Sequence, residues 1–240
     1  MNIMKNLLIL TLFCFVTLQI NAQKVIEKEI NTSAKEVKVE FKFAEDIIIK
    51  TWDKSDVYLK AEVSVKDGEF DDYFNLKIDN SSSVLDIQSD YGDLFDMWKK
   101  ERKSNKGNNW GPCNNLNIDA LYTLYVPKNM RLRIKSISGS VTSENYQGEL
   151  VVDIISGNID IKKYSGDLNL KTISGDIDIN VAKSRLKAET VSGMIYSDKD
   201  MQFDHGKNRI VGSKVSGTFG DAKSELFLKT ISGSIFIRKQ

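Results

Sequence analysis

Histidine is nearly missing from this chain, and cysteine and proline are scarce. Of 240 residues, one is His, two are Cys and two are Pro. A lone His205 excludes the usual Cys/His zinc spacings. A serine nucleophile needs an adjacent base and an oxyanion hole, and the chain has no Gly-x-Ser-x-Gly elbow to supply the setting. Long hydrophobic runs are also absent, with one exception. Leu7 to Ile20 follows Lys5 and precedes Asn21-Ala22-Gln23, the pattern of a secretory signal peptide cleaved after Ala22. The run is short for a membrane span and has no stop-transfer pattern behind it. Cys14 lies inside it, so cleavage leaves Cys113 alone, with no internal disulfide possible. Cys113 reads as an ordinary loop residue; a reactive thiol or a bond to another chain are the alternatives.

Charge of one sign is lacking as well. The chain holds 34 basic and 33 acidic residues, and loss of Lys5 with residues 1–22 leaves 33 of each. A neutral, evenly mixed surface argues against nucleic acid, which demands a basic footprint. The remaining chain, residues 23–240, is expected to form a single all-β domain without a transmembrane segment.

What the chain does have is a repeat. Thr172-Ile173-Ser174-Gly175-Asp176-Ile177-Asp178-Ile179 has close copies around Gly139, Gly157, Gly193, Gly217 and Gly233. The first four of these glycines, counting Gly175, are 18 residues apart, and the later intervals are 24 and 16. Gly148 and Gly166 mark a half-period, with Ser184 in the equivalent place. Each unit therefore reads as two short strands and two corners, with Gly supplying backbone freedom. Val141, Ile159, Ile177, Ile195, Phe219 and Ile235 follow the main corner, and Ile137, Ile155, Ile173, Val191, Val215 and Ile231 precede it. They share parity, so both sets are expected to face one interior. The repeated Ser is expected to bond its hydroxyl to the turn backbone. Stacked units bury what one unit cannot. The expected fold for residues 131–240 is a parallel β-solenoid, a β-roll or flattened β-helix, with about 18 residues per coil. A meander of hairpins is the alternative, because hairpin loops are also short. Tyr146 and Tyr164, again 18 apart, are expected to stack at the edge of the core.

Residues 23–130 are strand-rich and continuous with the repeats. Val37, Val39, Phe41 and Phe43 alternate with charged residues, and Val57, Leu59, Ala61, Val63 and Val65 alternate with Tyr58, Lys60, Glu62 and Ser64; a hairpin is expected across Asp79 to Ser83. No convincing helix is expected, beyond a short one at most over Asp93 to Lys103. Residues 99–117 read as a long exposed loop. Trp98 and Trp110 beside its positive charge are candidate binding residues, since aromatics stack on sugars or anchor protein partners.

Three features together resemble the bacterial putative-adhesin family, also called DUF4097. They are Glu45 to Val57 with its Trp52-Asp53 turn (Thr51 standing where the family has Gly), Tyr122-Thr123-Leu124-Tyr125-Val126-Pro127-Lys128, and the Ser-Gly-Asp-Ile corners. The resemblance spans nearly all of residues 24–240. It implies a secreted β-solenoid-like domain and adhesion, and carries over no catalytic or binding residues.

The acidic positions are the remaining candidates. Asp160 and Asp178 occupy equivalent exposed places in successive units and are candidate binding residues. A calcium column would need clustered oxygen ligands, but Thr142 and Tyr196 interrupt it and the Gly-Gly-x-Gly-x-Asp signature is missing. No catalytic residue, metal site or cofactor is expected. The expected function is a non-enzymatic secreted or cell-envelope protein, an adhesin for a glycan, matrix or protein partner. The alternatives are a periplasmic structural or signalling component docking an envelope protein and, last, a carbohydrate-active enzyme.

Overall fold

A computed structural model of the chain describes residues 23–81, 83–104, 116–198, 201–205 and 212–239. The leader segment, Trp110, Cys113 and most of the expected loop lie outside the described residues.

Alternation of apolar and polar residues builds strands throughout. They are β1 (Lys24–Ile30), β2 (Glu36–Trp52), β3 (Val57–Val65), β4 (Asn75–Asp79), β5 (Val84–Asp90), β6 (Ile118–Pro127), β7 (Arg131–Ser143), β8 (Tyr146–Gln147), β9 (Leu150–Ser156) and β10 (Ile159–Ile161). The second half adds β11 (Tyr164–Ser165), β12 (Leu168–Ser174), β13 (Ile177–Val181), β14 (Ser184–Ser192), β15 (Ile195–Ser197), β16 (Asp204–His205), β17 (Ser213–Thr218), β18 (Ser224–Ser232) and β19 (Ile235–Lys239). Seventeen of them join one sheet, because β2 and β7 are long enough to run through two layers. The first layer runs β4, β5, β2, β7, β9, β12, β18, β14, β17, β16. The second runs β1, β3, β6, β2, β7, β10, β13, β19, β15. Between the layers lies one apolar core, where Phe41 of β2 stacks on Tyr122 of β6 at 3.9 Å between ring centroids.

The all-β class is what forms, but the sheet is mixed and does not close. From Leu132 to Val181 the rungs pair in parallel with partners 18 residues apart, such as Leu150 with Leu168 and Ile159 with Ile177; hairpins are excluded there. The regularity then ends. β18 and β19 insert between β12–β13 and β14–β15, so the order in space is not the order in sequence. Gly217 is no corner: it lies in β17, which pairs antiparallel with β14.

Glycine marks the true corners because backbones meet there. A Cβ on Gly157 would lie 2.3 Å from the Gly139 carbonyl oxygen, one on Gly175 2.0 Å from that of Gly157, and one on Gly233 2.0 Å from that of Gly175. Gly193 in turn faces the Gly233 carbonyl oxygen at 2.0 Å. The hydroxyls that bond these corner carbonyls belong to threonine. Thr172 donates to Gly157 (3.1 Å), Thr230 to Gly175 (2.9 Å) and Thr190 to Gly233 (2.8 Å), and all three are buried. The repeated Ser156, Ser174, Ser192 and Ser232 instead stand exposed, contrary to the expected corner role, whereas Ser138 fulfils it by donating to the Ala44 carbonyl oxygen at 3.3 Å.

The two flanking columns also part company. Ile159, Ile177 and Ile235 are fully buried, whereas Ile137, Ile155, Ile173, Ile231 and Val191 are 40–48% exposed. The expectation that both face inward fails for the second column. The chain crosses the corner over residues 173–176, and inward parity, held by Leu168, Leu170 and Thr172, resumes only at Ile177. Tyr146 and Tyr164 do lie in register, both buried. Tyr146 donates to the Met130 carbonyl oxygen at 3.2 Å, and burial pushes its phenol well above the ordinary range.

A helix, α1 (Leu94–Ser104), takes the first part of the expected loop. Leu94 is buried and Phe95 packs on Phe43 and Tyr91. Asp96 in the first turn and basic Lys99 and Lys100 further along suit the helix dipole. These terms make the short helix allowed for over Asp93 to Lys103, which takes in the start of the segment read as loop.

Candidate binding surface on the outer face of the second layer

Strands β3, β6 and β2 put Tyr58, Tyr125 and Lys50 side by side on the solvent face, with Tyr58 opposite Tyr125 and Tyr125 opposite Lys50. Trp52 ends β2 and leans onto the pair. Ring centroids are 5.2 Å apart for Trp52–Tyr125, 5.8 Å for Tyr58–Tyr125 and 6.2 Å for Trp52–Tyr58, distances at which aromatic pairs attract. The Trp52 indole N–H donates to the Asp56 carbonyl oxygen at 2.8 Å, so the turn from β2 to β3 fixes the ring. Two cations cover the cluster: Lys54 lies 4.6 Å from the Trp52 ring and Lys50 5.1 Å from the Tyr125 ring. Lys50 also donates to the Tyr125 hydroxyl at 3.2 Å. Partial desolvation, then the Glu27 carboxylate, raises the Tyr58 phenol, which keeps it a hydrogen-bond donor.

A groove of about 450 Å³ adjoins the cluster, bounded by Ile48, Lys50, Tyr125, Thr142, Ser143 and Glu144. The Ser143 hydroxyl is buried and has no partner among the described residues. Aromatic faces, a cation, a carboxylate and hydroxyls thus meet in one shallow site.

Along the same face a row runs Thr142, Asp160, Asp178, Phe236, Tyr196. Asp160 accepts from Lys162 at 2.7 Å. Asp178 takes two bonds from Arg238, at 2.8 Å to Nε and 2.6 Å to Nη2, and this hydrogen bonding raises the Arg238 guanidinium. Arg238 lies 5.9 Å from the Phe236 ring, which stacks on Tyr196 at 5.1 Å. Five strand spacings separate β6 from β19, about 24 Å in all, so the face carries aromatics at both ends and ion pairs between. No cluster of metal-ligating side chains occurs among the described residues.

A larger cavity, about 680 Å³, opens between Val181, Lys183, Met201 and Phe219.

The family model described as Toastrack DUF4097 matches residues 116–238. The chain belongs to this family. Its Toastrack fold is shared by a solved structure described as a putative cell adhesion protein from Clostridium sporogenes, at 14% identity and a TM-score of 0.53, covering 90% of this chain and 100% of that one. Chains described as putative adhesins from Bacteroides fragilis (11% identity, TM-score 0.27, 90% and 98% covered) and Parabacteroides distasonis (13%, 0.26, 90% and 97%) are also similar. No curated protein matches the chain.

In this Toastrack chain the sequence candidates do not converge on one point. Asp160 and Asp178 are direct neighbours across β10 and β13, but each is engaged by a cation. Trp98 lies half-buried on α1, and Trp110 lies outside the described residues. The cluster of Trp52, Tyr58 and Tyr125 was missed, because its members are scattered over three strands. The available signal was parity: Tyr58 and Tyr125 each sit one residue from a buried position.

Proposed function

We propose that this protein is a non-enzymatic binding module of the cell envelope or surface, an adhesin whose ligand is an extended glycan lying along the outer face of the second layer. The observation carrying this reading is the pair of aromatic patches, Trp52–Tyr58–Tyr125 and Phe236–Tyr196, towards opposite ends of this face with Asp160 and Asp178 between them. Sugar rings stack on aromatic faces, and hydroxyls between them suit the ion-paired Asp160 and Asp178. That pairing also argues against general acid–base work, since each carboxylate is already engaged by a cation. The parallel rungs from Leu132 to Val181 are read as solenoid coils in a single domain spanning residues 23–240, which would present such a face to a ligand. The reading of residues 1–22 as a signal peptide supports a location outside the cytoplasm.

The test is binding of the intact protein to a panel of glycans and matrix proteins, beside Trp52→Ala, Tyr125→Ala and a variant with residues 105–115 replaced by Gly-Ser. A tenfold or greater loss in the aromatic variants, with unchanged melting temperature, supports the face. Loss only in the loop variant moves the contact to the segment that holds Trp110.

A second reading is a periplasmic component docking an envelope protein. It is favoured by β15, which among the described residues pairs with β19 alone, and an open edge invites strand addition. Protease shaving of intact cells separates the two: surface exposure supports the adhesin, full protection the periplasmic role.

A further inference from the structure

The exposed aliphatic column is a continuous ridge. Register places Ile137, Ile155, Ile173, Ile231 and Val191 on five successive rungs, each 40–48% exposed. Successive rungs are about 4.8 Å apart, so the ridge is about 19 Å long. Single exposed apolar residues need no explanation, but a contiguous apolar stripe marks an interaction site.

A partner that meets every rung must carry the same spacing, and a second copy of the chain does. Identical side chains at one repeat interdigitate as a dry seam. A second copy can be applied about two different two-fold axes, and charge decides between them. Two residues before the ridge runs a parallel row: Lys135, Asp153, Lys171, Lys229, Glu189. With the copies antiparallel, this row meets itself reversed. Lys135 then faces Glu189, Asp153 faces Lys229, and only Lys171 faces its own kind. With the copies parallel, the row would face Ser140, Asn158, Asp176, Ser234 and Met194, which follow the corner. Only Lys171 against Asp176 would match, and an Asp176 carboxylate oxygen already accepts the Ser234 backbone N–H at 2.7 Å.

We propose that two copies of this protein associate antiparallel through the ridge, with the two-fold axis at Ile173. Ile173 then meets its own copy, Ile155 meets Ile231 of the second copy, and Ile137 meets Val191. Such an interface is self-complementary and closes after two copies. Five half-exposed side chains and a charged row fall short of the ~800 Å² per partner of a standard interface, so the association is concentration-dependent rather than permanent.

The experiment is disulfide trapping in the full chain with Cys14 and Cys113 replaced by Ser. Under mild oxidation Ile173→Cys gives a covalent dimer, well above an exposed control, Ser81→Cys. Ile137→Cys stays monomeric alone and cross-links when mixed with Val191→Cys. Sedimentation of the thiol-free chain shows a dimer that Ile173→Ser weakens at least tenfold. Asp153→Lys weakens it too, and adding Lys229→Asp restores it. Self-cross-linking of Ile137→Cys would overturn the antiparallel arrangement. A protein monomeric at every concentration, with Ile173→Cys no more cross-linked than the control, would overturn the dimer. So would loss of cross-linking alongside ridge-dependent binding to phosphatidylglycerol vesicles, which would make a bilayer the occupant.

Discussion

Ile173 and Ile177 stand two residues on either side of Gly175. One is 45% exposed, and the other is sealed between Ile159 and Ile235. The same residue type, at the same period and around the same corner, builds a core on one side and a ridge on the other. Period alone shows that a column exists. Which way the column faces is set by how the backbone turns through the four residues of the corner. That turn depends on the close approach of glycines in adjacent rungs.

The comparison can be pressed by substitution. The largest effect is expected at Ile177→Asp, which buries an unpaired charge between rungs and should cost more than ~4 kcal/mol; loss of the cooperative thermal transition is the readout. Gly175→Ala comes next, at about 3 kcal/mol. Its Cβ would meet the Gly157 carbonyl oxygen at 2.0 Å, so one rung has to move; urea unfolding measures the loss. Thr230→Val keeps the shape but leaves the Gly175 carbonyl oxygen without its hydroxyl, at about 1–2 kcal/mol, visible as a lower urea midpoint. Ile173→Ser should change stability by no more than about 0.5 kcal/mol. Equal destabilisation by Ile173→Ser and Ile177→Asp would break the comparison outright.

Much of the architecture was legible in the residues. The glycine spacing located the corners from Gly139 to Gly193, and alternation located the inward Val141, Ile159 and Ile177. The reach of parity was overstated, because counting by twos ignores the corner. The position of β18 between β12 and β14 was hidden for a different reason. The segment around Ile231-Ser232-Gly233 is as good a rung as the one around Val191-Ser192-Gly193, so local sequence carries no order. α1 was underweighted because Lys99, Lys100, Arg102 and Lys103 read as solvated loop, while the packing of Leu94 and Phe95 is tertiary. The aromatic site was hidden by distance along the chain: Trp52 and Tyr125 are brought together only by the parallel pairing of β2 with β6.

The insertion of β18 and β19 bears on how the molecule is assembled in time. A stack of rungs can grow by adding each new rung to the last. Here growth from β7 through β13 reaches a step where the next segments made, β14 and β15, belong one place further on. They have to wait until residues 224–239 have been synthesised and have slipped in beside β12 and β13. A chain broken off before residue 224 therefore keeps two facing, unfilled strand edges. The finished sheet thus depends on residues 224–239, which are made after the strands they separate.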